Sequence, residues 1–414
     1  MSLVGLTPVM ALRNLLRHRR RTISTLLAIA AGLFGLILLD GFICYSMNGF
    51  RDSIVRSGTG HIQVATSPAS FDEGDGNPLP FLFGEPARLE AELRSVPGVR
   101  EVMPALTFAA SASSGGKSVF AQVSSYPIDQ ARKNLSARTI VEGQDLEAGR
   151  AGLVLLGSGL ARELGARPGA TISLFALCVG GGVNTESFTV SGISSSGIKE
   201  LDDRAIAMSL DDAQALIGAR SASRLVIFLK SADETARVVR RIGNLPPGST
   251  ISGMALRDWE ELSPSFRQAN ALYMMILAVA RAVVLIVALV SISGTLSLTV
   301  MERYREIGTL RAFGTKRPGL LAMLACEGFF LGLAGTVAGT LAGAAASGFV
   351  NVLGGIEMAA EPGMSIASLT IFFTPKVENL VVNGLALLFA SVLAALLPGM
   401  RSQRLTIAEQ LRSI

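Results

Sequence analysis

The chain has 414 residues, half of them hydrophobic and only 17% charged, with a mean hydropathy of +0.47, which is too apolar for a soluble globular protein of this size. The formal net charge is +5 and the pI about 9.4, but Lys and Arg gather beside apolar spans without an aromatic-basic surface motif. That pattern argues against a nucleic-acid partner and for charge flanking a membrane.

Residues 1–21 are a basic N-terminal segment carrying Arg13, Arg17, Arg19, Arg20 and Arg21. The apolar span that follows, 22–46, is longer than a signal-peptide core and has no small-x-small cleavage site before Tyr45-Ser46-Met47-Asn48, so it is predicted to be an uncleaved anchor. Three more segments, 271–300, 320–350 and 377–400, are long enough to cross a hydrocarbon core of about 30 Å. Four transmembrane helices are therefore expected.

Residues 47–270, with stalk-like ends, alternate short β-branched runs with amphipathic helical patterns and Gly or Pro punctuation, which predicts a large α/β or α+β domain inserted between the first two spans. Strands are expected at 61–66, 119–124, 188–193, 205–208 and 224–229, and helices at 85–96, 210–217 and 233–242. Gly115-Gly116 suggests a hairpin, and Val179-Gly180-Gly181-Gly182-Val183 a loop tip.

Chemistry is hard to place in that domain. Gly116-Lys117-Ser118 ends like a phosphate-binding loop, but Ser111 stands where the tight-turn glycine belongs. Asp202-Asp203, Asp211-Asp212 and Asp258 with Glu260-Glu261 are read as helix starts and solvated faces. His18 and His61 are the two histidines of the chain, too few for a His-based metal site or triad. The three cysteines, Cys44, Cys178 and Cys326, follow no metal or redox spacing and imply no disulfide framework. No catalytic residues, no metal site and no cofactor are expected in this chain.

Residues 301–319 read M-E-R-Y-R-E-I-G-T-L-R-A-F-G-T-K-R-P-G. Ile307, Leu310 and Phe313 fall at helical spacing between charges, which describes a short amphipathic helix fit either for a lipid surface or for a partner's groove. Its basic residues, with those of the N-terminus and the tail 401–414 (Arg401, Arg404, Arg412), put all three segments on the cytoplasmic side by the positive-inside rule. Both termini are then cytoplasmic, and 351–376 is a short loop on the far side.

Charged residues inside the spans ask for a reason. At 1.5 Å per residue, Asp40 and Arg281 stand at one depth, and a pair between the first two helices is set against independent snorkelling. Glu327 lies about two turns into the third span, as a contact to the 301–319 helix or a snorkelling acid. Gly328, Gly332, Gly335, Gly339, Gly343 and Ser347 form a ladder at i+4 or i+3 spacing, which predicts close helix packing against an unidentified neighbour.

The run Arg303, Glu306-Ile307-Gly308, Leu310-Arg311-Ala312 and Gly314 resembles the signature of the FtsX-like ABC transporter permease family, the force-transmitting type. Pro398-Gly399 leading into Arg401-Ser402-Gln403-Arg404-Leu405 and Ile407 to Arg412 is similar to the family's closing segment. Val141-Glu142-Gly143, Leu160 to Gly165, Pro168-Gly169, Val190 to Ile193 and Trp259 to Pro264 resemble its extracytoplasmic domain. Length and layout are most similar to lipoprotein-releasing permease subunits.

The resemblance implies a non-catalytic subunit of a bacterial inner membrane, paired with a second, identical or homologous permease subunit. A cytoplasmic ABC ATPase dimer, which binds ATP and Mg, would meet Arg303, Glu306, Ile307, Leu310, Ala312, Phe313 and Gly314. A periplasmic chaperone or adaptor and membrane lipids are further expected partners. The expected task is extraction or translocation of lipoprotein or lipid. A force-transmitting subunit of a tripartite efflux assembly and a regulatory scaffold for a cell-wall hydrolase stay open beside it.

Overall fold

A computed structural model describes residues 11, 13–15, 17, 19–136, 138–197, 199–246, 249–304, 309, 317–359 and 368–402. They divide into a helical unit, drawn from Met1–Asn48, Ala269–Ala359 and Ser368–Ile414, and an α/β unit built on Gly49–Gln268.

Four long helices are long and apolar enough to cross a membrane. The first runs Arg19–Ile54, the second Pro264–Glu302, the third Arg317–Val352 and the fourth Val377–Ser402. Ile29, Leu33 and Ile37 of the first meet Ala288, Ile292 and Leu296 of the second, Leu331 of the third, and Leu387, Ala394 and Ala395 of the fourth in one buried core. The second helix leaves Met274, Met275, Val279, Val283, Ile286 and Val290 exposed, the composition a helix shows to lipid or to another apolar helix. The segment 351–376, expected as a plain loop, holds an antiparallel hairpin pairing Ile356–Ala359 with Ser368–Ile371.

The α/β unit contains β1 (Ile62–Ala65), α1 (Pro86–Arg94), β2 (Val99–Ser114), β3 (Lys117–Tyr126), α2 (Ile128–Asn134), β4 (Thr139–Gly143) and β5 (Leu153–Gly157). It continues with α3 (Ser158–Leu164), β6 (Thr171–Leu177), β7 (Val183–Ser195), β8 (Ala205–Ser209), α4 (Leu210–Ile217), β9 (Arg224–Leu229), α5 (Thr235–Gly243) and β10 (Ala255–Asp258). The strands join in the order β10-β1-β9-β2-β3-β8-β5-β7-β4, and β6 pairs with both β2 and β7. The path β2-β3-β8-β5-β7-β6 therefore returns to β2 as a closed ring.

Strand β2 belongs to two cores. Its first half, up to Ala105, pairs with β9, and its second half, from Leu106, pairs with β3. Beside the first half, Leu89 and Leu93 of α1 and Val238 and Ile242 of α5 pack with Ile62, Val64, Val102, Leu225 and Ile227. Inside the ring, Leu106, Phe108, Val123, Leu156, Ile172, Leu174, Phe188 and Ile206 pack with Leu160 and Leu164 of α3 and Leu216 of α4. Alternation along each strand sends these side chains inward. The β2–β3 turn is Gly115-Gly116, at φ 58° and 81°. Such a primed turn follows the strand twist and strains any side chain bearing a Cβ. The residues that end like a phosphate loop are thus a hairpin.

Candidate functional site

The third long helix holds Glu327 and the glycine ladder singled out in the sequence, and their neighbours are on the first and fourth long helices, at Asn14 and at Arg303. Glu327 is 1% exposed. Its Oε1 accepts a hydrogen bond from Asn14 Nδ2 at 2.7 Å and lies 3.7 Å from Nη1 of Arg303, just past the end of the second helix. The carboxylate thus ties the N-terminal segment to the start of 301–319. Beside it, Arg21 Nη1 meets Glu302 Oε1 at 2.7 Å, and the hydroxyls of Thr25 and Thr295 are 2.6 Å apart. Arg303 is described; Glu306, Ile307, Leu310, Ala312, Phe313 and Gly314 lie outside the described residues.

The glycine ladder divides between two partners. A Cβ on Gly328 would meet Ala395 Cβ at 2.5 Å and the Ser391 carbonyl at 2.7 Å, and one on Gly332 would meet Ser391 Cβ at 2.5 Å, all on the fourth helix. Further along, Gly335 faces Ile29 at 2.7 Å, Gly339 the Ala30 carbonyl at 2.8 Å and Gly343 the Ile37 Cβ at 3.0 Å, all on the first helix. Ser347 is buried and its Oγ donates to the Gly343 carbonyl at 2.9 Å. The third helix is thus packed at backbone distance on two sides, the geometry that small residues permit.

Asp40 is 2% exposed, and its Oδ1 accepts from Asn379 Nδ2 at 2.7 Å. Arg281 and Lys376 lie within electrostatic range, but the direct bond goes to the fourth helix, and Oδ2 has no hydrogen-bond partner among the described residues. Of the two readings weighed for Asp40, an Arg281 pair or independent snorkelling, neither names the partner its side chain bonds directly, which is Asn379. Asn379 escaped the sequence reading because a neutral amide near a span end carries no charge to notice. Close by, Asn351 both donates to the Phe373 carbonyl at 2.8 Å and accepts from its N–H at 2.9 Å.

In the α/β unit the expected acid clusters at 211–212 and 258–261 lie at a helix start and a turn. Asp258 Oδ1 accepts from the N–H of Glu261, and the N–H of Asp212 donates to Ser209 at the start of α4. Asp202 differs from the expected solvated acid: it is buried and accepts from Ser195 Oγ, Ser196 N and Ser196 Oγ at 2.6–2.8 Å. Among the described residues no group of three or more His, Cys, Asp or Glu could hold a metal ion. Burial, with Arg100 and Arg51 nearby, pushes the His61 imidazole down to about 4, although Asp52 opposes the shift. His61 is therefore neutral at physiological pH, and its Nδ1 accepts from the N–H of Leu229 at 3.2 Å.

Residues 22–245 match the model of the MacB-like periplasmic core domain, and residues 278–407 match that of the FtsX-like permease C-terminal. An uncharacterized ABC transporter permease of Methanocaldococcus jannaschii is 23% identical over 341 residues, covering 80% of this chain and 81% of that one. The lipoprotein-releasing system transmembrane protein LolC of Neisseria meningitidis serogroup B is 25% identical over 279 residues, 63% of this chain and 64% of that protein, just under two thirds of its length. Among solved structures, the periplasmic region of MacB from Actinobacillus actinomycetemcomitans aligns over 51% of this chain and 95% of its own, at 11% identity and a TM-score of 0.34. The extracellular domain of YknZ from Gram-positive bacteria aligns over 43% and 87%, at 12% identity and a TM-score of 0.31.

Proposed function

Since the chain belongs to the ABC transporter permeases that join a MacB-like periplasmic core domain to an FtsX-like permease C-terminal, we propose that it carries ATP-driven motion from a separate cytoplasmic ATPase to its α/β unit. It is a multi-pass membrane protein. In the proposed orientation both termini and residues 301–319 face the cytoplasm of a bacterial inner membrane, and 47–270 stands on the far side. The observation that carries the reading is the Glu327 contact. A buried carboxylate grips Arg303 where the 39-residue second helix ends, so a push on 301–319 is delivered to the third helix and to Asn14 together.

A rigid helix transmits displacement without chemistry, and 39 residues span about 58 Å at 1.5 Å each. At the other end of the second helix, Phe266 packs against Trp259 at 4.6 Å and Phe50 at 5.7 Å between ring centroids. These aromatic contacts stiffen the helix start within the α/β unit. The chain supplies force transmission, and a partner polypeptide supplies the ATP and Mg site.

The proposed cargo is lipoprotein or lipid drawn from the membrane, supported by the similarity to LolC. A second reading, a force-transmitting subunit of an efflux assembly, is favoured by the match of residues 22–245 to the MacB-like domain model. A second permease subunit completes the complex in both. The experiment is co-purification of the ATPase with Leu310→Asp and Gly314→Arg variants of the full chain in nanodiscs. Lost association and lost stimulation of hydrolysis are expected; undiminished association in both variants would refute the interface. Release of a lipidated substrate protein by the wild-type complex then separates the two cargo readings.

A further inference from the structure

Where the first long helix ends, a cavity of about 280 Å³ opens wholly within the α/β unit. Its wall carries Arg51, Arg56, Arg100, Lys133 and Lys230, with Asp52 the carboxylate among its lining residues. Each cation comes from a different turn or element: Arg51 from the last turn of the first long helix, and Arg56 from the π turn Val55–Thr59 that follows. Arg100 projects from β2, Lys133 from the end of α2 and Lys230 from just past β9.

We propose that this cavity binds a phosphate-bearing anion, the chemistry shared by a phospholipid headgroup and free phosphate.

The charge balance carries the argument. Asp52 is already taken by Arg51 at 3.2 Å. Arg56 reaches Ser136 Oγ at 3.3 Å, and Arg100 donates to Asn134 Oδ1 at 2.6 Å and stacks over Phe228. Those partners are neutral, and Lys133 and Lys230 have no side-chain partner among the described residues. Like charges converging on one small volume repel one another. The arrangement is relieved when an anion with several acceptor oxygens enters, since guanidinium and ammonium groups both bond phosphate strongly.

His61 lines the same cavity, and its imidazole is held neutral by burial and by Arg100 and Arg51. The ring thus adds a polar wall and no further charge. Asn134, buried and fixed between Arg100 and Glu101 Oε2 at 2.6 Å on each side, aligns the Arg100 guanidinium.

The inference holds whether or not the chain drives lipoprotein release. The test uses the full chain in detergent, with native mass spectrometry counting bound short-chain phosphatidylglycerol, short-chain phosphatidylcholine and inorganic phosphate. Lys133 and Lys230 are exposed, so the Lys133→Gln/Lys230→Gln double variant keeps its fold, checked by an unchanged melting midpoint. With two of the five lining cations neutralised, anion affinity should fall on the order of tenfold or more in that variant, with a shallower salt dependence. Phosphatidylglycerol retained against excess inorganic phosphate identifies the lipid as the source; phosphate binding alone and displacing it identifies the free ion. Equal affinity in wild type and double variant, or no anion bound by the wild type, overturns the proposal.

Discussion

Asn14 Nδ2 donates to Glu327 Oε1 across 2.7 Å, joining residues 313 apart in the chain through a carboxylate that is 1% exposed. Arg303 Nη1 approaches the same oxygen at 3.7 Å. Removing the acid takes an acceptor from the half-buried Asn14 amide and a charge partner from the Arg303 guanidinium, a loss of up to about 3–5 kcal/mol for a broken buried pair. Glu327→Gln keeps an acceptor for Asn14 and loses only the charge. Denaturant unfolding should rank wild type above Glu327→Gln above Glu327→Ala, and ATPase stimulation of the assembled complex should follow that order. Identical stimulation in all three would remove Glu327 from the transmission path.

The ladder in the third helix discriminates between glycines by what faces them. Gly328, Gly332 and Gly339 have neighbours that a Cβ would strike, whereas Gly348 in the same helix has nothing within 4 Å. Forcing atoms into a packed contact costs about 1–3 kcal/mol, while Gly→Ala at an open helical position gains up to about 1 kcal/mol of helix propensity. Gly328→Ala and Gly332→Ala should therefore lower the unfolding midpoint, and Gly348→Ala should hold or raise it. The same sign in all three variants would contradict the packing.

Asp40 offers a choice of partners that a rescue experiment resolves. Its side-chain hydrogen bond goes to Asn379, the backbone N–H of Lys376 also faces it, and Arg281 acts at longer range. Asn379→Leu should destabilise by about 1–3 kcal/mol by stranding a buried acceptor. The double reversal Asp40→Arg with Arg281→Asp should not restore stability or activity lost in the single reversals, because the direct bond it breaks is to Asn379 and reversing Arg281 does not rebuild it. Full rescue would reinstate the Asp40–Arg281 pair as the dominant contact.

Features carried by composition and period were legible in the sequence: four apolar spans, the inserted α/β domain, the Gly115-Gly116 hairpin and the strands at 205–208 and 224–229. What escaped depends on long-range pairing. Strand β2 runs through Pro104, which ordinarily argues against a central strand. Pro104 lies in the half of β2 that pairs with one neighbour alone, opposite Leu225 of β9, where a proline is tolerated as it is at a sheet edge. The ring closure through β6 needs Ser111 to find Phe175, which no local pattern encodes. In the helical unit the ladder's spacing foretold close packing, but not that Gly332 faces Ser391 while Gly339 faces Ala30. Asn14 and Asn379 carry no charge, so the partners of Glu327 and Asp40 became visible only in the packed helices.

Acid weakens the fold through His61. Burial first, then Arg100 and Arg51, hold the His61 imidazole down to about 4 from an ordinary 6.5. In the unfolded chain that ring binds a proton below pH 6.5, while in the folded chain it stays neutral until about pH 4. The unfolded state binds more protons across this window, so the stability contribution is whole above pH 6.5 and is lost as pH falls through about 4. The ring is only partly buried, so solvent screening reduces the effect to on the order of 1–2 kcal/mol. Unfolding midpoints of wild type and His61→Phe, measured from pH 7.5 to 4.5, should converge at a difference set by the lost Leu229 N–H acceptor at high pH. Toward low pH the wild type should decline more steeply. Parallel curves would mean that His61 titrates alike in both states, and that the cations around it do not raise the local potential.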